Sequence, residues 1–195
     1  PIHEWNKTFG FCLLMLKESQ FIKKPKLKNW VIEKKGESMA IRFSPDILKK
    51  YIVSLFIKAG LSDDHAGIVA ANLVNSNLYG IDSHGVIRTG IYLKKLNSGN
   101  MNSKPNITYK VERQALKVID GDNAPGAIVG YHAMNEAISL AKTYSVGICG
   151  AVASNHFGAA GLYVRQAVAA GMIGVAITNV TPLMGIPGIK SRIIG

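Results

Sequence analysis

The stretch Gly80-Ile81-Asp82-Ser83-His84-Gly85-Val86-Ile87-Arg88-Thr89-Gly90-Ile91-Tyr92 sets a hydroxyl, an imidazole, a guanidinium and a phenol within ten positions. If a helix begins near His84, then His84, Arg88 and Tyr92 stand at i, i+4 and i+8 and project from one face, a turn apart. An imidazole moves a proton near neutral pH, and a guanidinium grips a carboxylate through two parallel hydrogen bonds. That set fits a site for a small organic acid. On spacing alone it fits a solvated helix start equally well.

A second chemical feature lies downstream. Val146–Ala153 is a continuous run of small apolar residues, most simply a buried strand, and Cys149 within it suits a core position. Ser154-Asn155-His156-Phe157-Gly158-Ala159-Ala160-Gly161 follows, then a helix to Ala170 with Gly171 as its stop, and a strand Met172–Thr178. Free amides at a helix start, with glycines that permit close approach, make a ready anion site. His156 there is as compatible with a buried structural imidazole as with a catalytic one. The spacing is not Gly-x-Gly-x-x-Gly, so nothing licenses a Rossmann assignment. A Pro/Gly-rich loop, 179–188, closes the region, where ligands are often received.

The elements that must position these groups can be read in order. Ser44, Pro45 and Asp46 are an N-cap, a first-turn proline and a dipole-matched acid. Ile47, Leu48, Tyr51, Ile52, Leu55 and Phe56 recur at helical spacing as far as Gly60. Ser62 with Asp63 and Asp64 opens a second helix through about Leu78, closed by Gly80, and a third runs from the opening stretch to about Leu96. Residues 107–112 and 115–119 alternate as two strands, Asp120–Gly126 has the composition of a loop, and a helix follows from about Tyr131 to Tyr144 with Met134, Ile138 and Ala141 inward.

At 195 residues and 48% hydrophobic, the chain suits one compact α/β domain with a small appendage. Two distant cysteines, Cys12 and Cys149, fit a reducing cytoplasm and lack metal-ligand spacing, so no metal is expected. The net charge is +11. Residues 1–38 hold eight Lys and four acids, leaving +7 on residues 39–195, and the lysines lack the aromatic interleaving of a nucleic-acid platform. The apolar run Phe9–Leu16 is shorter than the ~20 residues a membrane span needs, and no small-residue cleavage site follows it. Residues 1–38 therefore read as an extension without a catalytic part, with the domain starting near Met39.

Three segments in order then carry a resemblance. Gly80-Ile81-Asp82-Ser83-His84-Gly85-Val86-x-Arg88, Ser154-Asn155-His156-Phe157-Gly158 and Thr178-Asn179-x-x-Pro182-Leu183-Met184 are similar to the signatures of the malate/L-lactate dehydrogenase family, from about Met39 to Gly195. That family includes L-sulfolactate and ureidoglycolate dehydrogenases and the piperideine/pyrroline-2-carboxylate reductases. The resemblance implies an α/β fold: an N-terminal helical layer over residues 39–104, then a mixed, largely antiparallel NAD(P)-binding sheet domain of the L-sulfolactate dehydrogenase-like type, incomplete over residues 105–195. It implies an NAD- or NADP-dependent oxidoreductase of small 2-hydroxy or 2-oxo acids, a cytoplasmic homodimer binding neither nucleic acid nor membrane. The alternatives are a cyclic imino-acid reductase, or an inactive fragment serving as a dimerisation or binding module.

By the same resemblance Ser83 and His84 match the active-site pair, Arg88 and Tyr92 match substrate contacts, and His156 matches a proton acceptor of some members. His156, Phe157, Gly158, Thr178 and Asn179 match the cofactor side. The expected chemistry has His84 as acid/base oriented through Ser83, Arg88 on the carboxylate and His156 as the rival acid/base. Family sequences continue past the position of Gly195 with a Thr-Asn-Pro turn and an active-site Asp, and Pro187-Gly188-Ile189-Lys190 departs from the usual Trp-Gly-Gly. The 195-residue chain alone is therefore expected to have little or no dehydrogenase activity.

Overall fold

The computed structural model describes residues 9–17, 43–180, 185, 186, 188 and 191. Its elements are β1 (Phe9–Lys17), α1 (Pro45–Lys58), α2 (Asp63–Leu78), α3 (Thr89–Asn97), β2 (Thr108–Glu112), β3 (Leu116–Ala124), α4 (Gly126–Tyr144), β4 (Val146–Ser154), α5 (Gly161–Ala169) and β5 (Met172–Thr178). A mixed sheet runs β2-β3-β4-β1-β5. Only β3 and β4 pair in parallel; β2–β3, β4–β1 and β1–β5 are antiparallel. A mixed, largely antiparallel sheet preceded by a helical layer is the architecture expected.

Local chemistry explains most boundaries. Ser62 caps α2 by accepting the His65 amide at 3.3 Å, and Asp63 and Asp64 occupy its positive end. Gly60, Gly80 and Gly171 take positive φ just past the ends of α1, α2 and α5, where an L side chain would be strained. Ser44 stands at the N-cap of α1, but its side chain makes no capping bond.

Two apolar clusters form the core. One lies between the sheet and the helices α4 and α5: Val129, Met134 and Ala137 of α4 and Tyr163 of α5 meet Ile119, Cys149, Ala151 and Met172. The other fills the helical layer with Ile52, Phe56, Val69, Leu73, Tyr92 and Met101. Ala127 and Ile128, in the first turn of α4, belong to the second cluster, so α4 ties the two layers together. Cys149 is wholly buried in the sheet-side core.

Five expectations change. Ile47 and Tyr51 are exposed at 67% and 61%, because only the Ile52–Phe56 side of α1 meets the core. Asp120–Ala124 is not a loop but the end of β3. Asp122 and Asn123 do take the left-handed conformation of turn formers, and they are absorbed as an irregularity in the pairing with β4. The helix after it starts at Gly126, not Tyr131. The third helix is preceded by two single 3-10 turns, Asp82–His84 and Val86–Arg88, divided by an extended Gly85. Finally, Phe9–Lys17, within the segment set apart as an extension, lies mid-sheet. It pairs Phe11 to Leu16 with Ala151 to Val146, and Phe11 to Lys17 with Thr178 to Met172.

Candidate functional site

The turn that carries Ser83 and His84 is held from α2. The Asn77 side chain donates to Asp82 Oδ1 at 2.5 Å and accepts the Val86 amide at 2.8 Å. A Cβ on Gly85 would sit 2.1 Å from Asn77 Oδ1, so only glycine lets the turn close over that amide. Asp82 and Gly85 are thus the parts of the first motif that shape it. Arg88 Nε donates to the Ser83 carbonyl at 2.6 Å, which fixes the guanidinium by its inner nitrogen.

The second motif is positioned from the sheet. Asn155 Nδ2 donates to the Asn123 carbonyl at 2.9 Å, to Asn123 Oδ1 at 2.8 Å and to the Ala124 carbonyl at 3.2 Å, tying the end of β4 to the end of β3. The Tyr163 hydroxyl donates to the Phe157 carbonyl, and Asn72 of α2 donates to that hydroxyl at 3.2 Å. The Phe157 and Tyr163 rings stack at 4.5 Å. Gly126 opens α4 directly against this loop: a Cβ there would come within 2.2 Å of the Asn155 carbonyl oxygen.

These supports bring the two motifs together across a cavity of about 510 Å³. His84, Arg88, Ile91, Tyr92 and Lys95 line it from the helical layer; Asn155, His156, Phe157, Gly158, Thr178, Asn179 and Val180 line it from the sheet. Every predicted site residue except Ser83 is on that wall. Ser83 is exposed, and its hydroxyl lies 2.8 Å from His84 Nδ1. His84 does not stand on a helix with Arg88 and Tyr92, as the one-face spacing supposed, since Gly85 breaks the chain between them. The three nevertheless reach one cavity.

His84 and His156 stack with ring centroids 5.3 Å apart. The Tyr92 hydroxyl lies 2.5 Å from His156 Nδ1. Each imidazole thus has Nδ1 engaged by a hydroxyl, which leaves Nε2 as its remaining ring nitrogen. Burial, then the charges of His84, Arg88 and Lys95, pull His156 down to about 4. Burial and Arg88 also lower His84. Burial pushes the Tyr92 phenol up to about 12 against the opposing pull of Arg88. At neutral pH both imidazoles are neutral and the phenol keeps its proton.

Among the described residues no acidic side chain lines the cavity, and neither Arg88 nor Lys95 makes an ion pair. Among them, too, no group of three or more His, Cys, Asp or Glu side chains could hold a metal ion, and no helix is long and apolar enough to cross a membrane. Lys95 was missed in the sequence. It stands three residues after Tyr92 and seven after Arg88, on the same helix face, and that spacing was the available signal.

The comparisons agree with one another. The family model described as malate/L-lactate dehydrogenase matches residues 43–195. The chain is 42% identical over 155 residues to a malate dehydrogenase of Pyrococcus horikoshii, covering 80% of this chain and 43% of that protein. It is 41% identical over 151 residues to an L-sulfolactate dehydrogenase of Methanocaldococcus jannaschii, covering 77% and 44%. A ureidoglycolate dehydrogenase (NAD(+)) of Escherichia coli strain K12 is 30% identical over 144 residues, covering 74% and 41%. The solved structure of the Pyrococcus horikoshii malate dehydrogenase superposes with a TM-score of 0.64 at 36% identity, over 75% of this chain and 39% of that one. The chain therefore spans less than half the length of these relatives. With two of its motifs and Thr178 and Asn179 of the third facing one cavity, and the family model covering residues 43–195, it belongs to the malate/L-lactate dehydrogenase family.

Proposed function

We propose that this chain carries the substrate-activating half of an NAD(P)-dependent oxidoreductase that interconverts small 2-hydroxy and 2-oxo acids. The observation that carries the proposal is a pair of neutral imidazoles, each held at Nδ1 by a hydroxyl, beside a guanidinium that among the described residues has no acidic partner. The helical region, residues 39–104, supplies Ser83, His84, Arg88 and Tyr92. The sheet region, residues 105–195, supplies the cofactor side. Phe157, Gly158, Thr178 and Asn179 would hold the nicotinamide end, because they offer one aromatic wall, exposed strand-end backbone and no competing charge.

Arg88 takes the substrate carboxylate on the guanidinium nitrogens that Ser83 leaves available, which orients C2 and its hydroxyl. The hydroxyl proton passes to an imidazole, with His84 as acid/base and Ser83 fixing its ring. His156, anchored by Tyr92, supports the same oxygen and is the alternative proton acceptor. NAD or NADP, when bound, supplies or accepts the hydride at C2. The protein assembles as a cytoplasmic homodimer, as family likeness implies.

A panel of 2-hydroxy, 2-oxo and cyclic imino acids, assayed with both cofactors on the longest polypeptide the gene encodes, tests this. The proposal expects turnover of 2-hydroxy acids, cut at least about a hundredfold by His84→Ala, the scale of a lost general acid/base. Turnover unchanged in both His84→Ala and His156→Ala would refute it. Exclusive reduction of cyclic imino acids would move the site to the reductase branch of the family.

A further inference from the structure

We propose that Asn72 and Tyr163 are positioning residues for the reaction: they hold the His156 loop to helix α2, so that this one helix sets the spacing of the two imidazoles. The proposal rests on the dehydrogenase function proposed above, and it adds two residues that lie outside the cavity.

Asn72 interrupts an apolar run of α2, with Ala70 and Ala71 before it and Leu73 and Val74 after it, and it is 8% exposed. Tyr163, in the first turn of α5, is 2% exposed. A buried amide and a buried phenol are costly in a core unless each finds a hydrogen-bond partner. Here they find one another and then the loop. Asn72 Nδ2 donates to the Tyr163 hydroxyl at 3.2 Å, and that hydroxyl donates to the Phe157 carbonyl. Burial pushes the Tyr163 phenol well up from its ordinary value, so the hydroxyl keeps the proton it donates.

Residues 155–159 belong to no helix or strand, so side chains hold this loop where a ladder would hold a strand. Asn155 ties its front to the end of β3, and Tyr163 ties its back to α2. His156 lies between those two anchors. The Tyr92 hydroxyl orients its ring, while Tyr163 places the backbone next to it. The fit behind the loop is close. A Cβ on Gly130 of α4 would come within 2.7 Å of the Tyr163 ring, and a Cβ on Gly158 would come within 2.5 Å of Asn72 Oδ1.

The same helix holds the other motif. Asn77 stands five residues after Asn72, about 7.5 Å along the axis, and fixes the Ser83–His84 turn through Asp82 and the Val86 amide. Helix α2 therefore carries one asparagine for each imidazole: Asn77 for His84 and Asn72, through Tyr163, for His156. The stacking of the two rings at 5.3 Å is the outcome of both attachments.

The test uses the longest polypeptide the gene encodes. Tyr163→Phe removes the hydroxyl and keeps the ring, and Asn72→Leu removes the amide at similar volume. Ile52→Val, in the helical-layer core, is the control for lost packing alone. Steady-state oxidation of the best 2-hydroxy acid from the panel above is measured, with NMR titration of the His84 and His156 imidazoles. In both loop variants kcat should fall about ten- to a hundredfold, with KM for the acid within about threefold because Arg88 is untouched. The double variant should lose little more than the worse single one, since both act through one carbonyl. The His156 signal should shift, and its pKa should rise towards the ordinary value as the ring draws away from His84. Ile52→Val should leave kcat and both signals unchanged.

Three results would overturn the positioning role: kcat within about twofold of wild type in either loop variant, a fall in kcat with the His156 signal unmoved, or an equal fall in Ile52→Val. Should one loop variant fail to fold, the other decides. A wild type that oxidises the acid beside loop variants that match it refutes this inference alone. A wild type that oxidises no acid of the panel refutes the proposed function, and this role with it.

Discussion

Burial and the positive charges of Arg88 and Lys95 act on His156 in the same direction, and Arg88 acts on His84 as well. Removing the guanidinium should therefore raise both imidazole pKa values, and Arg88→Met followed by histidine NMR checks this. A fall in either value would mean that the charge is not felt at the rings. The sign for stability follows from proton counts. With His156 at about 4 when folded and near 6.5 when unfolded, the unfolded chain binds more protons between those values. Stability should fall as pH drops from 6.5 towards 4, and His156→Gln should flatten that part of a urea-midpoint profile. For the reaction, a depressed imidazole stays a base at lower pH. Alcohol oxidation should therefore persist below the point where an ordinary imidazole would be protonated.

At the scale of elements, the site depends on the close approaches of Gly85 to the Asn77 side chain and of Gly126 to the Asn155 and His156 backbone. Gly126→Ala would drive a methyl group into the Asn155 and His156 carbonyls, which are backbone and cannot rotate away. It should cost about 1–3 kcal/mol, as overpacking does, and lower activity through the displaced His156 loop. Gly67→Ala, in α2 with nothing within 4 Å of its added Cβ, should instead stabilise by roughly 0.5–1 kcal/mol. Chemical denaturation of both variants checks the contrast, and equal effects would contradict it. What the chain discloses at this scale follows distance along the sequence. Helix α2 and strand β5 are bounded by local signals, an N-cap, acids in the first turn and glycine stops, and their limits were legible. The break at Gly85 was not, because Asn77, eight residues earlier, imposes it through side-chain bonds that no periodicity encodes. Asp120–Ala124 misled for a related reason: its turn formers do adopt turn conformations, but pairing with β4 keeps them in the strand. Within the candidate site, His84, Arg88, Tyr92 and His156 were legible by motif. Lys95 required knowing which face of α3 meets the cavity.

For the whole molecule, the sheet is held together by a strand distant in sequence from its neighbours. β4 and β5 do not touch as strands; each pairs with β1 instead. Deleting residues 1–38 should leave two unpaired edges in the middle of the sheet, broaden thermal unfolding and raise binding of a hydrophobic dye. An unchanged, cooperative melt would mean that the sheet closes without β1. Sequence separation hid this, since a run such as Phe9–Lys17 carries no mark of the slot it fills. The two apolar clusters meet at the start of α4, and the cavity opens between the layers they define. The central claim is that a hydride leaves C2 of a 2-hydroxy acid in that cavity while an imidazole takes the hydroxyl proton. Incubating the longest polypeptide the gene encodes with C2-deuterated L-malate and NAD or NADP, then weighing the reduced cofactor by mass spectrometry, measures it directly. The account predicts one deuterium on the nicotinamide, with the rate cut at least about a hundredfold when His84 and His156 are both alanine. Reduced cofactor without deuterium, or transfer at an undiminished rate by the double variant, would contradict it.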